Sequence, residues 1–298
     1  MNIIGKKYWY FVLSLLVILP GVFSLFTWGL DLSIDFTGGS EISVSAPSGL
    51  SSGQVNQLKQ NLASQKIKVE TTQESGKVLT IKTSTMTQAQ DNVFVTSLSK
   101  IKNAKQEEFT TIGPTIGAET TTNAFKAVIV ASLLIVLYIS IVFRKVPKPT
   151  SAIRFGIAAI VALLHDVLVV VGIFSLLGHF LHVEVDSLFV TALLTVIGFS
   201  VHDTIVVFDR IRENLGKQGG GNFAKTVNDS ILQTIGRSLN TSITVLLVLF
   251  ALLLFGGVTI RWFVVALLVG IASGTYSSIF NASPILVVWH EWSLRRKG

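Results

Sequence analysis

Residues 153–177 read IRFGIAAIVALLHDVLVVVGIFSLL. A helix crossing the hydrocarbon core of a bilayer needs about 20 mostly apolar residues. This run meets that length, with Arg154 at its edge and His165-Asp166 at its centre. Five further stretches qualify, at about 8–28, 121–143, 186–208, 238–256 and 262–289. The whole chain agrees: of 298 residues 50% are hydrophobic and 14% charged, against roughly 25% charged in a soluble domain. Mean hydropathy is +0.63. That balance argues against a soluble enzyme, a disordered chain and a fibre, and leaves a protein whose solvent is the lipid bilayer.

The first stretch follows Lys6-Lys7, as a signal peptide would. It runs too long for one, lacks a small-residue cleavage site and ends at Phe26-Thr27-Trp28. It reads as a retained first helix. Trp9, Trp28, Trp262, Trp289 and Trp292 fall near span ends, where interfacial anchors sit. Six spans place both termini on one side. The loops on that side carry Arg144-Lys145-Val146-Pro147-Lys148, then Arg210, Arg212, Lys217 and Lys225, and the tail ends Arg295-Arg296-Lys297. The short loops opposite hold only Arg261. The positive-inside rule therefore predicts cytoplasmic termini. The net charge of +7 follows from the same rule, and no nucleic-acid partner is expected. With no Cys, there is no disulfide framework, thiolate metal site or cysteine nucleophile.

Residues 29–120 differ in composition, being rich in Thr, Ser, Gln and Lys. Residues 41–45 alternate at period two and read as a strand. Residues 51–65 place Val55, Leu58 and Leu62 at helical spacing behind a Ser N-cap. Residues 67–70 and 78–81 bracket a turn at Glu74-Ser75-Gly76 and read as a hairpin. Residues 87–102 give a second helix and 106–112 a last strand. Strand–helix–strand–strand–helix–strand is the ferredoxin-like order. The expected organisation is a first span in 1–28, an extracytoplasmic ferredoxin-like domain in 29–120, and a five-helix membrane bundle in 121–298.

Few ionisable residues lie within the spans, and each is costly there: about +2.5–3.5 kcal/mol at a helix centre. They are His165 and Asp166 in the third span, His202 and Asp203 in the fourth, and Arg237 at the start of the fifth. Ala192, Val196, Ser200 and Asp203 share one helical face with small residues on it. Spans four and five are consecutive and antiparallel, so Asp203 and Arg237 are expected to meet at one depth. Such a pair has two states, according to whether Asp203 is ionised. His179, His182, Glu184 and Asp186 crowd one outer loop without a metal-ligand spacing. Gly219-Gly220-Gly221 reads as a loop hinge rather than a phosphate cradle, since no strand precedes it and no GK[ST] follows. Residues 209–213 read as an amphipathic extension. No nucleophile set suggests an enzyme, and neither a cofactor nor a metal is expected.

Ser33-Ile34-Asp35-Phe36-Thr37-Gly38-Gly39 resembles the IDFTGG signature of the SecD/SecF protein-export family. His165-Asp166 matches that family's HD pair. Residues 197–214 and Arg237-Ser238-Leu239-Asn240-Thr241-Ser242 resemble its fourth- and fifth-span motifs, on the SecF side. The resemblance implies a half-transporter of the Resistance-Nodulation-Division type. It would pair with SecD and use the proton motive force to promote late steps of preprotein export through SecYEG after SecA action, with YidC as a further partner. It also implies a proton pathway through Asp203 and Arg237, with Asp166, His165 and His202 beside it. His202 stands where many relatives have Asn. The motif at Asp35, Phe36, Thr37, Gly38 and Gly39 is expected to be a backbone feature. The competing reading is a half-size proton-driven exporter of small molecules or lipids from the same superfamily.

Overall fold

The computed structural model describes residues 2–296 apart from 47–48, 76, 102, 145, 148 and 219–221. The expectations placed on Gly76, Lys145, Lys148, Gly219-Gly220-Gly221 and Lys297 lie outside the described residues. In chain order the elements are a 3-10 turn at Ile4–Lys6, α1 (Lys7–Thr27), α2 (Ile34–Thr37), β1 (Gly39–Ser45), α3 (Ser52–Ser64), β2 (Val69–Ser75), β3 (Val78–Thr83), α4 (Gln88–Leu98) and β4 (Lys105–Ile112). There follow α5 (Pro114–Val142), α6 (Ala152–Leu181), α7 (Ser187–Gln218), α8 (Phe223–Phe255), α9 (Arg261–Ser277), a π-helical segment at Ser278–Ala282 and α10 (Ser283–Arg295). The chain divides into two compact units, one of residues 32–125 and one of 1–31 with 126–298.

The smaller unit is an antiparallel sheet ordered β2-β3-β1-β4, which with the order of helices and strands is the ferredoxin-like arrangement. Period-two alternation puts Ile42 and Val44 of β1 and Leu79 and Ile81 of β3 on one face. Against that face pack Val55, Leu58 and Leu62 from α3 and Phe94 and Leu98 from α4. Fully burying one such side chain contributes about 1.5–3 kcal/mol. Both helices start on reciprocal caps: the Ser51 and Thr87 hydroxyls accept from the backbone of Gln54 and Gln90, whose side chains accept from the cap backbone in return. These caps satisfy donors that the first helical turn leaves unpaired. The second helix stops at Leu98, short of residue 102, yet Ile101 still reaches the core.

Among the described residues six helical segments are long and apolar enough to cross a membrane, α9, the π segment and α10 together making the last. Several run past the apolar stretches. α8 begins at Phe223, fifteen residues before the run at 238. α7 continues to Gln218, and its polar end is laced by ion pairs Arg210–Glu213, Arg212–Asp209 and Lys217–Glu213. α6, α7 and the last span are about half buried, whereas α1, α5 and α8 expose most of their apolar surface. In hydrocarbon an exposed Leu is already in an apolar solvent, so such faces need no cover.

Candidate functional site

α6 carries Asp166 at its centre, and the helices packed around it bring hydroxyls to that carboxylate. Ser200 from α7 and Ser277 from the end of α9 both donate to Oδ2 at 2.6 Å. Ser273, one turn before Ser277, donates to Oδ1 at 2.7 Å. The fourth contact comes from its neighbour, His165 Nδ1, 3.0 Å from Oδ1. Asp166 has no exposed surface. A buried carboxyl is tolerated only when its oxygens find partners, and here three helices supply them. α7 and α9 can come this close because Gly274 faces Ser200: a Cβ on that glycine would lie 3.0 Å from the Ser200 Cβ.

Asp203 lies near the middle of α7 and is 1% exposed. Its shell is thinner. Ser242 from α8 reaches Oδ2 at 3.4 Å, the Thr275 hydroxyl also hydrogen-bonds the carboxyl, and those two hydroxyls bond each other at 2.6 Å. His202 Nδ1 stands 3.9 Å from Oδ1, with most of its ring exposed. The next residue, Thr204, meets Ser278 at 2.8 Å in the π segment. Single π turns inside helices often mark functional positions, and this one joins the helix portion that serves both carboxylates.

The expected Asp203–Arg237 ion pair is absent. Arg237 is exposed, and among the described residues no ion pair joins it to Asp203. The reason is register. The α8 residue that meets Asp203 is Ser242, five positions on, or about 7.5 Å along the axis at 1.5 Å per residue. The buried stripe of α8 runs through Val227, Ile231, Thr234, Ser238 and Ser242, and Arg237 lies to one side of it. The expected small-residue face on α7 is buried throughout, but Val196 and Ser200 meet Gly270 and Gly274 of α9.

Serine and threonine hydroxyls are what sequence reading missed. Ser200 entered only as a packing residue, while Ser242, Ser273, Thr275, Ser277 and Ser278 went unnoticed as carboxylate or hydroxyl partners. The available signal was the density of hydroxyls in residues 272–284, ASGTYSSIFNASP, inside a segment long enough to span.

In the smaller unit the Ser33 to Gly39 stretch is a capped turn entering a strand. Ser33 Oγ accepts from the backbone N–H of Asp35, and the Thr37 hydroxyl donates to the Ser33 carbonyl at 3.1 Å. Gly38 has φ +72° and Gly39 φ +120°. Cβ atoms there would sit 2.8 Å from the Pro114 Cα and 2.7 Å from the Thr83 carbonyl oxygen. Phe36 offers its carbonyl to the Thr121 hydroxyl at 3.3 Å. At the end of α6 the His179 ring stacks on Trp28 at 3.7 Å, and before α7 Asp186 accepts from the Phe189 N–H at 2.8 Å. Among the described residues no group of three or more His, Asp or Glu is placed to hold a metal ion.

These features define a multi-pass membrane protein with a ferredoxin-like insertion after its first span and two buried carboxylates held by hydroxyls between its helices. Residues 93–292 match the family described as protein export membrane protein SecD/SecF, C-terminal, and residues 23–46 match the SecD/SecF GG motif. The chain belongs to the SecD/SecF family. It is 47% identical to the protein translocase subunit SecF of Thermobaculum terrenum, over 98% of this chain and 94% of that protein. It is 42% identical to the protein of the same name from Anaerolinea thermophila, over 98% and 96%. Among solved structures it resembles a crystal structure of SecDF, a translocon-associated membrane protein from Thermus, with TM-score 0.84 and 34% identity. That match covers 98% of this chain but only 39% of the SecDF chain. The names of these relatives do not favour the small-molecule exporter.

Proposed function

We infer that this chain is the SecF-type half of a proton-driven protein translocase. It pairs with a SecD-type chain and draws on the proton gradient to assist preproteins leaving the SecYEG channel, with YidC nearby. Both termini and the basic loops lie in the cytoplasm, and the ferredoxin-like domain lies outside. The pairing is supported by the solved SecDF structure, of which this chain matches little more than a third. The orientation is supported by the charge bias of the loops.

One observation carries the coupling: Asp203 is buried in the span interior, and among the described residues it is hydrogen-bonded only by the Ser242 and Thr275 hydroxyls. A protonated carboxyl donates one hydrogen bond as well as accepting, and Ser242 and Thr275 can turn to accept it. On ionisation, Asp203 needs positive charge, and Arg237 is the cation nearest in register along α8. The arrangement with Arg237 turned away is the one that suits protonated Asp203. One charge moved across 100 mV is worth about 2.3 kcal/mol, enough to bias such a shift. His202 flanks Asp203, and His165 and Asp166 line the neighbouring part of the same helix cluster.

The test is proton flux in liposomes holding this chain with its SecD-type partner. Asp203→Asn keeps size and hydrogen bonding but cannot ionise. It is expected to lower flux by about a hundredfold, the scale on which a positioned proton carrier acts, at unchanged protein level. Wild-type flux in that variant would leave Asp203 a structural residue.

A further inference from the structure

The hydrogen-bond inventory around Asp166 separates it from Asp203. An ionised carboxylate has about four acceptor positions. Asp166 accepts three hydroxyls at 2.6–2.7 Å and meets His165 Nδ1 at 3.0 Å, so an ionised Asp166 has its acceptor positions filled. An imidazole nitrogen facing an ionised carboxylate carries the hydrogen, because that carboxylate has none to give. With Asp166 ionised, His165 carries its hydrogen on Nδ1 and its Nε2 keeps a lone pair. That atom is buried and has no hydrogen-bond partner, and the residue is 9% exposed. A buried, unpaired acceptor costs about 1–3 kcal/mol. The sequence pattern that packs α6 elsewhere with aliphatic residues does not explain a ring kept in that condition.

We propose that His165 Nε2 is the atom that takes up a proton in the core of this helix cluster, and that Asp166 is a positioning residue which fixes the ring tautomer and stays ionised. This rests on the proton-coupled reading above and deepens it. The proton comes from water and returns to water. On uptake, neutral His165 beside anionic Asp166 becomes an imidazolium–carboxylate pair, so net charge in the pocket goes from −1 to zero. The titratable groups around His165 are few. Tyr276 of α9 lies 6.2 Å away between ring centroids, and its hydroxyl donates to the Tyr10 carbonyl of α1 at 2.8 Å. Lys7 of α1 is paired with Glu291 of α10, and the α10 ring of His290 packs on Phe223. Asp203 follows Ser200 by one turn of α7 but turns to α8 and Thr275. Among the described residues only Asp166 makes an ion pair or hydrogen bond with His165. From Tyr276 a polar chain continues, with Ser14 lying 3.4 Å from the Tyr276 hydroxyl and donating to Asn281 at 2.9 Å.

Two measurements on the full chain with its SecD-type partner in lipid test this. The first is nitrogen NMR of labelled histidine, with His165 assigned from the signal lost in His165→Gln. The expected spectrum shows a ring protonated at Nδ1 and bare at Nε2 at high pH, gaining the second proton reversibly as pH falls. Ser277→Ala, which leaves three donors on Asp166, is expected to keep that tautomer, and Asp166→Asn to lose it. The second is proton flux, expected to fall by about tenfold or more in His165→Gln at normal protein level. A ring protonated at Nε2 in the unaltered protein overturns the proposal. So does near-normal flux in His165→Gln beside a dead Asp203→Asn, a result that leaves the translocase reading standing. Near-normal flux in both variants overturns the proton-coupled reading along with the proposal.

Discussion

Asp166 and Asp203 are almost equally hidden, so burial does not separate them; their hydrogen-bond partners do. Four contacts at 2.6–3.0 Å hold Asp166, whereas Asp203 has the Ser242 hydroxyl at 3.4 Å, the Thr275 hydroxyl and a histidine at 3.9 Å. The same accounting by single atoms applies to Gly39. Its φ of +120° lies in a region that side-chain-bearing residues rarely occupy, and a Cβ would press on the Thr83 carbonyl at 2.7 Å, where the β1–β3 ladder leaves no slack. Gly39→Ala is expected to cost the smaller unit about 1–3 kcal/mol. For a domain of this size that lowers Tm by roughly 4–8 °C per kcal/mol. Thermal melting of residues 32–125 measures it, and an unchanged Tm would remove the backbone explanation for the motif. The ionisable residues were legible in the sequence because charge inside an apolar run is rare. The hydroxyls were not, because Ser and Thr also serve as small packing residues in spans, and only their alignment across three helices makes them ligands of a carboxylate.

At the scale of elements, the contact between α7 and α9 determines whether the site exists. Ser200 on one helix and Ser273 and Ser277 on the other converge on Asp166, and Gly274 sets how near they come. Gly274→Ala asks the Ser200 side of α7 to give by a few tenths of an ångström and is expected to cost about 1–3 kcal/mol through overpacking. Gly274→Leu cannot be accommodated that way. It is expected to part the helices, lower detergent-solubilised thermal stability well beyond the Ala variant, and reduce proton flux even at matched protein level. Equal stability of the two variants would show that the glycine does not set the spacing. Helix existence was readable from apolar length, and helix ends were not. The first part of α8 carries Lys225, Asp229 and Arg237, which no apolar-run criterion accepts, yet Val227, Ile231 and Thr234 give it a buried stripe. The register of that stripe also defeated the Asp203–Arg237 pairing, since depth along two antiparallel helices does not fix which face turns inward. The π segment changes the helical period over five residues only, too few to disturb a pattern read over a whole span.

For the whole molecule, the six spans and the ferredoxin-like order followed from long-range pattern, and that pattern yields two tests. The chain has no Cys, so single cysteines report topology without background. In intact cells a membrane-impermeant maleimide added outside is expected to label Gln60→Cys in the exposed part of α3. Lys217→Cys, at the polar end of α7, is expected to react only after lysis. The reverse pattern would invert the orientation inferred from loop charge. The second test concerns where the smaller unit ends. Its core lies within residues 42–109, so a fragment of residues 32–113 holds every strand and both packed helices and is expected to fold. Yet the first three turns of α5 belong to the same unit. Gly117 lies so close to Gly38 that a Cβ would stand 2.8 Å from the Gly38 nitrogen, and Thr121 donates to the Phe36 carbonyl. One such hydrogen bond contributes about 0.5–1.5 kcal/mol, and close packing along the turn adds to it. Residues 32–125 are therefore expected to melt cooperatively and at least about 5 °C above residues 32–113, by the scaling of Tm with stability in small domains. Thr121→Val in the longer fragment should remove part of that difference. Equal melting of the two fragments would show that α5 leaves the unit at its first residue. A broad, non-cooperative transition from a monodisperse sample of either would show that the sheet and its two helices do not form a self-sufficient core.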